Sequence, residues 1–184
     1  MFHNSGNYVY FLKKYDEYLS PVLDTYAYCL LGNHFHLLVR IKPISDLTTF
    51  KKFDHSKLLN LTAHDIVSHQ FRKFFQSYSM AFNKQSNRIG TLFQTPFKRA
   101  VVNNEQHFNN LVYYIHTNPK RHDLVDDFKD WEWSSYERIL IEKPTKLKKN
   151  EVLNWFGNKN EFVKFHGQNQ KLESNDKMFI EDDD

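Results

Sequence analysis

Two stretches of this chain carry side chains with chemistry to offer: His34-Phe35-His36, and Tyr114 four residues ahead of Asn118. On an extended strand alternate side chains share a face, so His34 and His36 point the same way. Two neutral imidazoles so placed can ligate one divalent ion. The pair alone is weak, because ten histidines in 184 residues give roughly 0.5 such pairs by chance. On a helix, positions i and i+4 share a face, so Tyr114 and Asn118 project together. Asn118 can present an amide oxygen to a hard cation such as Mg²⁺ or Mn²⁺. Tyr114 can present a phenolate nucleophile, although at a free pKa of about 10 it needs help from a metal or a base. A plainer role stands beside this one. Tyr113 and Tyr114 lie among Phe108, Leu111, Val112 and Ile115, where either can be a core tyrosine with its hydroxyl satisfied.

The elements that must position these groups follow from periodicity. Residues 7–19 set Val9, Leu12, Tyr15 (or Asp16) and Leu19 near one face at helical spacing, and Pro21 stops the helix. Roughly 24–31 and 34–42 read as two strands joined at the turn-forming pair Gly32-Asn33, the second ending before Pro43. In that second strand Phe35, Leu37, Val39 and Ile41 form an apolar row expected to face the core, opposite the histidines and Arg40. Residues 44–63 are mixed and lysine-rich, a loop or a short helix. Residues 64–83 carry Ile66, Val67, Phe71, Phe74, Phe75, Tyr78 and Phe82 at three- and four-residue steps, an amphipathic helix starting at His64 or Asp65. After a loop with Gly90 and Pro96, residues 98–103 (KRAVVN) read as a short strand, and 104–117 as a helix closing at Asn118-Pro119. The string DWEWSSY is turn-like, EKPTKLKK a spacer, and 150–166 two helical turns parted by Gly157-Asn158. The last ~15 residues are polar and acidic and are expected to be loosely ordered. A hairpin with interspersed helices points to an α+β fold with a mainly antiparallel sheet.

Composition bounds the function classes. No stretch approaches the ~18 apolar residues of a membrane helix, and the N-terminus lacks a basic and then apolar leader. Cys29 is the sole cysteine, which excludes an intramolecular disulfide and an all-cysteine zinc site. A soluble, cytoplasmic protein is expected. From Ala81 to Arg121 the charges are Lys84, Arg88, Lys98, Arg99, Lys120 and Arg121 against Glu105 alone. A basic middle set among Tyr, Phe, Asn and Gln suits a nucleic-acid partner, or equally an ordinary solvated face.

The strings YAYCLLGNHFHLLVRIK, GTLFQTPFKR, YYIHTNP and DWEWSSY, in that order, resemble the successive motifs of the REP-associated tyrosine transposases. These lie within the HUH, single-tyrosine superfamily of insertion-sequence transposases. The resemblance covers roughly residues 7–140, a catalytic domain of 1–140, and leaves 141–184 as a helical appendage with an acidic tail. It implies a ferredoxin-like HUH nuclease fold in which helices pack on the sheet, with the family's usual first strand expected to be missing. Gly32 stands where relatives place a proline. The resemblance makes His34, His36 and Asn118 the ligands of a divalent metal, Mg²⁺ or Mn²⁺. Tyr114 becomes the nucleophile that cleaves and rejoins single-stranded or hairpin DNA through a 5′-phosphotyrosine. Tyr113 is the fallback, with Thr117 a poorer i+4 partner, and His116 is structural or DNA-facing.

Arg40, Lys98, Arg99, Lys120 and Arg121 flank that site in sequence or share its strand face and are candidate DNA contacts. Phe93 and Phe97 can stack on bases or belong to the core. The protein is expected to act as a monomer or homodimer with no membrane partner. The alternative is a truncated or domesticated, non-catalytic nucleic-acid-binding relative. Less favoured are a relaxase or replication initiator, which the short chain opposes, and a small metal hydrolase, for which no carboxylate has suggestive spacing.

Overall fold

The computed structural model describes residues 1–48, 61–94 and 97–168. They form helix α1 (Ser5–Tyr18), strands β1 (Leu23–Leu30) and β2 (Phe35–Ile41), then α2 (Ile44–Thr48), α3 (Ala63–Gln85) and α4 (Glu105–Arg121). A 3-10 turn (Phe128–Asp130), α5 (Tyr136–Leu140), α6 (Lys149–Trp155) and α7 (Lys159–Gln168) follow. Among the described residues no helix is long and apolar enough to cross a membrane. The acidic C-terminal residues and much of the lysine-rich 44–63 stretch lie outside the described residues.

The expected mainly antiparallel, ferredoxin-like sheet is overturned. Among the described residues the sheet has two strands, β1 paired with β2, and helix predominates. The four-residue connection between the strands is too short for a parallel crossover, so they form a hairpin. The strand expected over 98–103 is absent: these residues are irregular, and Val101 is 78% exposed. A strand earns its stability from a pairing edge and a covered face, and this segment has neither a ladder nor a buried valine row. The first helix and the hairpin do form close to the expected bounds.

The described residues cluster in two compact units. The first takes residues 1–25, 32–34, 39–48 and 61–94. In it α1 begins at Asn4, whose side chain accepts the Asn7 N–H at 3.2 Å while Asn7 Oδ1 accepts from the Asn4 backbone at 3.3 Å, a reciprocal cap. Its buried residues are Asn7, Tyr8, Phe11 and Tyr15. Val9, expected on the core face, is 57% exposed. The aromatic 8–11–15 stripe sets the rotation because rings bury far more area than valine. Phe11 meets Phe74 and Tyr78 of α3 edge-on at 4.9 and 5.2 Å. Asn7 Nδ2 donates to Gln85 Oε1 at 2.7 Å. α3 starts at Thr62, capped reciprocally with Asp65, and its length of 23 residues spans about 34 Å.

The second unit takes residues 26–31, 35–38 and 97–168. Its core joins Tyr26, Ala27, Cys29, Leu31 and Leu38 of the hairpin region to Phe108, Val112 and Ile115 of α4, and to Val152, Phe156 and Phe162 of the C-terminal helices. Leu38 is the buried member of β2 and shares a face with His36; the expected core row of Phe35, Leu37, Val39 and Ile41 is only half-buried or exposed. The two faces of a two-stranded ribbon are therefore not cleanly divided into core and solvent. The aromatic 131–135 segment answers part of β1's hydrogen bonding. Leu30 N–H donates to Trp133 O at 3.0 Å, Ser135 N–H to Tyr28 O at 2.9 Å, and Trp131 Nε1 to Leu30 O at 2.9 Å. Only one bridge results, Cys29 with Ser134, so this is a covered edge rather than a third strand. Gly157, at φ +93°, makes the left-handed turn between α6 and α7 that other residues adopt only at a cost.

Candidate functional site

The site is built on α4. Asn104 caps it by accepting the His107 N–H at 2.8 Å. The helix was expected to close at Asn118-Pro119, but it continues to Arg121. Pro119 removes one rung and crowds the carbonyl a turn back. The next donors still reach their partners, His122 N–H to Asn118 O at 3.0 Å and Leu124 N–H to Pro119 O at 2.9 Å. Because the helix continues, Arg121 lies two turns beyond Tyr114 on the same face. Its guanidinium carbon sits 5.0 Å from the centre of the Tyr114 ring, a cation–π contact.

His36 also meets this ring, 5.5 Å away and nearly perpendicular at 79°. Tyr114 is half-buried. Asn118 is buried, and its Nδ2 donates to the Tyr114 backbone carbonyl at 2.9 Å. That bond fixes the amide and makes Oδ1 its acceptor end. The fallback Tyr113 differs: it is buried, against Phe165 and His166 at 6.0 and 5.6 Å. His36, Tyr114, Asn118 and Arg121 thus belong to one unit and one local arrangement.

The remaining sequence candidates are placed differently. His34 belongs to the first unit and directly precedes β2. Its Nδ1 lies 2.7 Å from Asn33 Oδ1, a contact that requires the proton on Nδ1 and makes Nε2 the lone-pair nitrogen. Arg40, in the same unit, is ion-paired with Asp24 at 2.8 Å. Lys98 and Arg99 are exposed on the irregular segment before α4, and Lys120 is half-buried on it. Phe93 packs on Phe75 at 4.4 Å, whereas Phe97 is exposed. Among the described residues no three His, Cys, Asp or Glu side chains are grouped to hold a metal ion.

The chain is similar to a Haemophilus influenzae protein described as a candidate REP-associated tyrosine transposase. The two are 28% identical over 115 residues, 62% of this chain and 60% of that protein, so the match spans about three fifths of the relative's length. No family model matches the chain, and no solved structure matches it significantly.

Of the two roles the sequence leaves open for His116, structural or DNA-facing, the structure supports the first and adds its partners. His116 is fully buried between two partners, His166 Nε2 at 3.0 Å from its Nδ1 and Ser135 Oγ at 2.7 Å from its Nε2. His166 Nδ1 in turn lies 2.8 Å from Phe162 O. Burial, and then the neighbouring His166, hold His116 well below the usual histidine range. Burial pulls His166 down to about 4, against the opposing pull of the Phe162 carbonyl. A signal existed in the sequence: His116 and His166 each fall four residues after a core residue, Val112 and Phe162, and so sit on the apolar faces of their helices.

Proposed function

We propose that this protein is a metal-dependent single-stranded DNA endonuclease and strand transferase, with Tyr114 as its nucleophile. The observation that carries this reading is the meeting of Tyr114 with His36 and Arg121, on the helix turn that also carries Asn118. The four sequence motifs and the similarity to the Haemophilus influenzae protein support it.

His34, His36 and Asn118 would hold the divalent ion, Mg²⁺ or Mn²⁺. The donor chemistry fits: Nε2 of His34 is the lone-pair nitrogen and the Asn118 amide is turned by its bond to the helix. When bound, the ion supplies a Lewis acid that polarises the scissile phosphate. Tyr114 attacks phosphorus through Oη, the Oη–P bond forms, and the bond from phosphorus to the 3′ oxygen breaks. The phenol proton is lost and the departing 3′ oxygen takes up a proton, leaving a 5′-phosphotyrosine and a 3′-hydroxyl. Attack by a second 3′-hydroxyl reverses these changes and joins strands, so no nucleotide cofactor is consumed. Arg121, over the Tyr114 ring, holds the ring and places positive charge near the arriving phosphate. Lys98, Arg99, Lys120 and Arg40 would contact the DNA backbone, and the protein would act in the cytoplasm.

The test is incubation with labelled hairpin DNA and Mg²⁺ or Mn²⁺, followed by a denaturing gel. A metal-dependent covalent band that disappears in Tyr114→Phe supports the reading, and a band persisting in that variant sinks it. A second reading, a non-catalytic DNA-binding relative, is favoured by the two-stranded sheet. It predicts hairpin binding with no adduct in either metal.

A further inference from the structure

The geometry points to His166, on the C-terminal helix α7, as a positioning residue for the site helix: through His116 it fixes the register of the α4 turns that carry Tyr114 and Asn118. The functional part of this inference rests on the reading of Tyr114 as nucleophile.

The proton positions are dictated by the partners. Phe162 O can only accept, so His166 donates from Nδ1 and its Nε2 accepts. His116 must then donate from Nδ1 to His166 Nε2, which leaves its own Nε2 to accept from the Ser135 hydroxyl. That uses the single Ser135 proton, so the 3.2 Å approach of Ser135 Oγ to Tyr28 O carries no hydrogen. Ser135 Oγ instead accepts the Tyr28 N–H at 2.9 Å. One directional chain therefore runs from β1 through the 131–135 segment and α4 to α7, all within one compact unit. His116, Ser135 and His166 are at most 1% exposed, so no solvent competes for these bonds.

His116 stands two residues after Tyr114 and two before Asn118, on the far side of the helix. A slip of α4 by one residue would move it about 1.5 Å and turn it about 100°. That would break the bonds at both His116 nitrogens and carry Tyr114 away from His36. A cavity that needed only filling would take an apolar ring, since His166 is already surrounded by Phe162, Tyr136 and Phe156 at 4.2, 5.2 and 5.7 Å. Two histidines bonded in sequence specify one register where apolar packing tolerates several. A nucleophile misplaced by an ångström loses up to about 100-fold in rate.

The experiment compares the full chain with His166→Phe, His166→Gln and Ser135→Ala. Glutamine can donate to Phe162 O and accept from His116; phenylalanine can do neither. Three quantities are read: hairpin DNA affinity, adduct rate at saturating DNA, and the NMR signals of the Tyr114 ring and the Asn118 side-chain amide. In His166→Phe affinity should stay within about 3-fold while the adduct rate falls about 10- to 100-fold, with both sets of signals shifted or broadened. His166→Gln should restore all of these, and Ser135→Ala should reproduce the loss. A folded His166→Phe or Ser135→Ala with unaltered Tyr114 and Asn118 signals overturns the inference, as does an unaltered adduct rate. Should His166→Phe not fold, Ser135→Ala and His166→Gln decide alone. If the wild-type chain forms no adduct, the nucleophile reading fails, and the NMR signals still decide the positioning role.

Discussion

The rings of Tyr114 and His36 meet edge to face, 5.5 Å apart at 79°, joining two motifs that are 78 residues apart in the chain. His36 therefore has a structural contact with the tyrosine in addition to its proposed ligand role. His36→Ala should abolish the metal-dependent adduct, below about 1% of wild type, while hairpin binding stays within about 3-fold. Single-turnover gels and anisotropy measure the two sides. An adduct at near wild-type rate removes His36 from the site.

Arg121 reaches the Tyr114 ring because α4 continues through Pro119. Arg121→Ala should weaken hairpin binding and lower the salt slope of log affinity by about 1. The adduct rate should fall further than the affinity, and Arg121→Lys should restore the slope better than the rate, because an ammonium lacks the flat face that stacks on the ring. An unchanged slope in Arg121→Ala means that this side chain does not meet phosphate.

Much of this was readable beforehand, and the failures have physical causes. Tyr114 and Asn118 on one helix face followed from spacing, and the hairpin whose second strand opens at the histidine motif followed from its apolar runs and the Gly32-Asn33 turn pair. Of the α1 face expected from Val9, Leu12, Tyr15 and Leu19, Tyr15 and Leu19 are buried, but Val9 is exposed and Tyr8 and Phe11 are buried instead, because rings bury more area than valine. The strand expected over 98–103 was read from β-branched residues, but Val101 and its neighbours meet no pairing edge, and strand preference is largely a matter of context. Pro119 was read as a stop, while the flanking donors keep the ladder going around it. The bond between His116 and His166 joins residues 50 apart, and periodicity cannot report such a pairing.

Stability should fall with acidification through the range set by His166. Its pKa drops from 6.5 unfolded to about 4 folded, so between those values the unfolded chain binds more protons. The contribution is full above about pH 6.5 and is lost as the pH falls toward 4, about 3 kcal/mol in all. The groups facing His166 are His116, Tyr113, Tyr136 and the Lys129 ammonium, and none offers a carboxylate to stabilise its charged form. Urea denaturation across this range measures the slope; His116, also held low by burial, adds to it, so His166→Phe should make the slope shallower without abolishing it, and an equal slope in that variant removes His166 from the acid sensitivity.

The α1 stripe gives a test free of any functional assumption. Phe11, fully buried against Phe74 and Tyr78, should cost about 3–5 kcal/mol on truncation to alanine. Val9→Ala should change stability by less than about 0.5 kcal/mol. Denaturant midpoints that rank Val9 above Phe11 would restore the rotation expected from the aliphatic residues.

The central claim is that Tyr114, and not its neighbour Tyr113, becomes bonded to DNA. Cross-linked protein from a reaction with hairpin DNA and Mn²⁺, digested with nuclease and trypsin, is read by tandem mass spectrometry over the peptide containing both tyrosines. The account predicts a phosphonucleotide remnant on Tyr114, with Tyr113 unmodified in its contact with Phe165 and His166. A remnant on Tyr113, or no modified peptide from a reaction in which the DNA is bound, contradicts it.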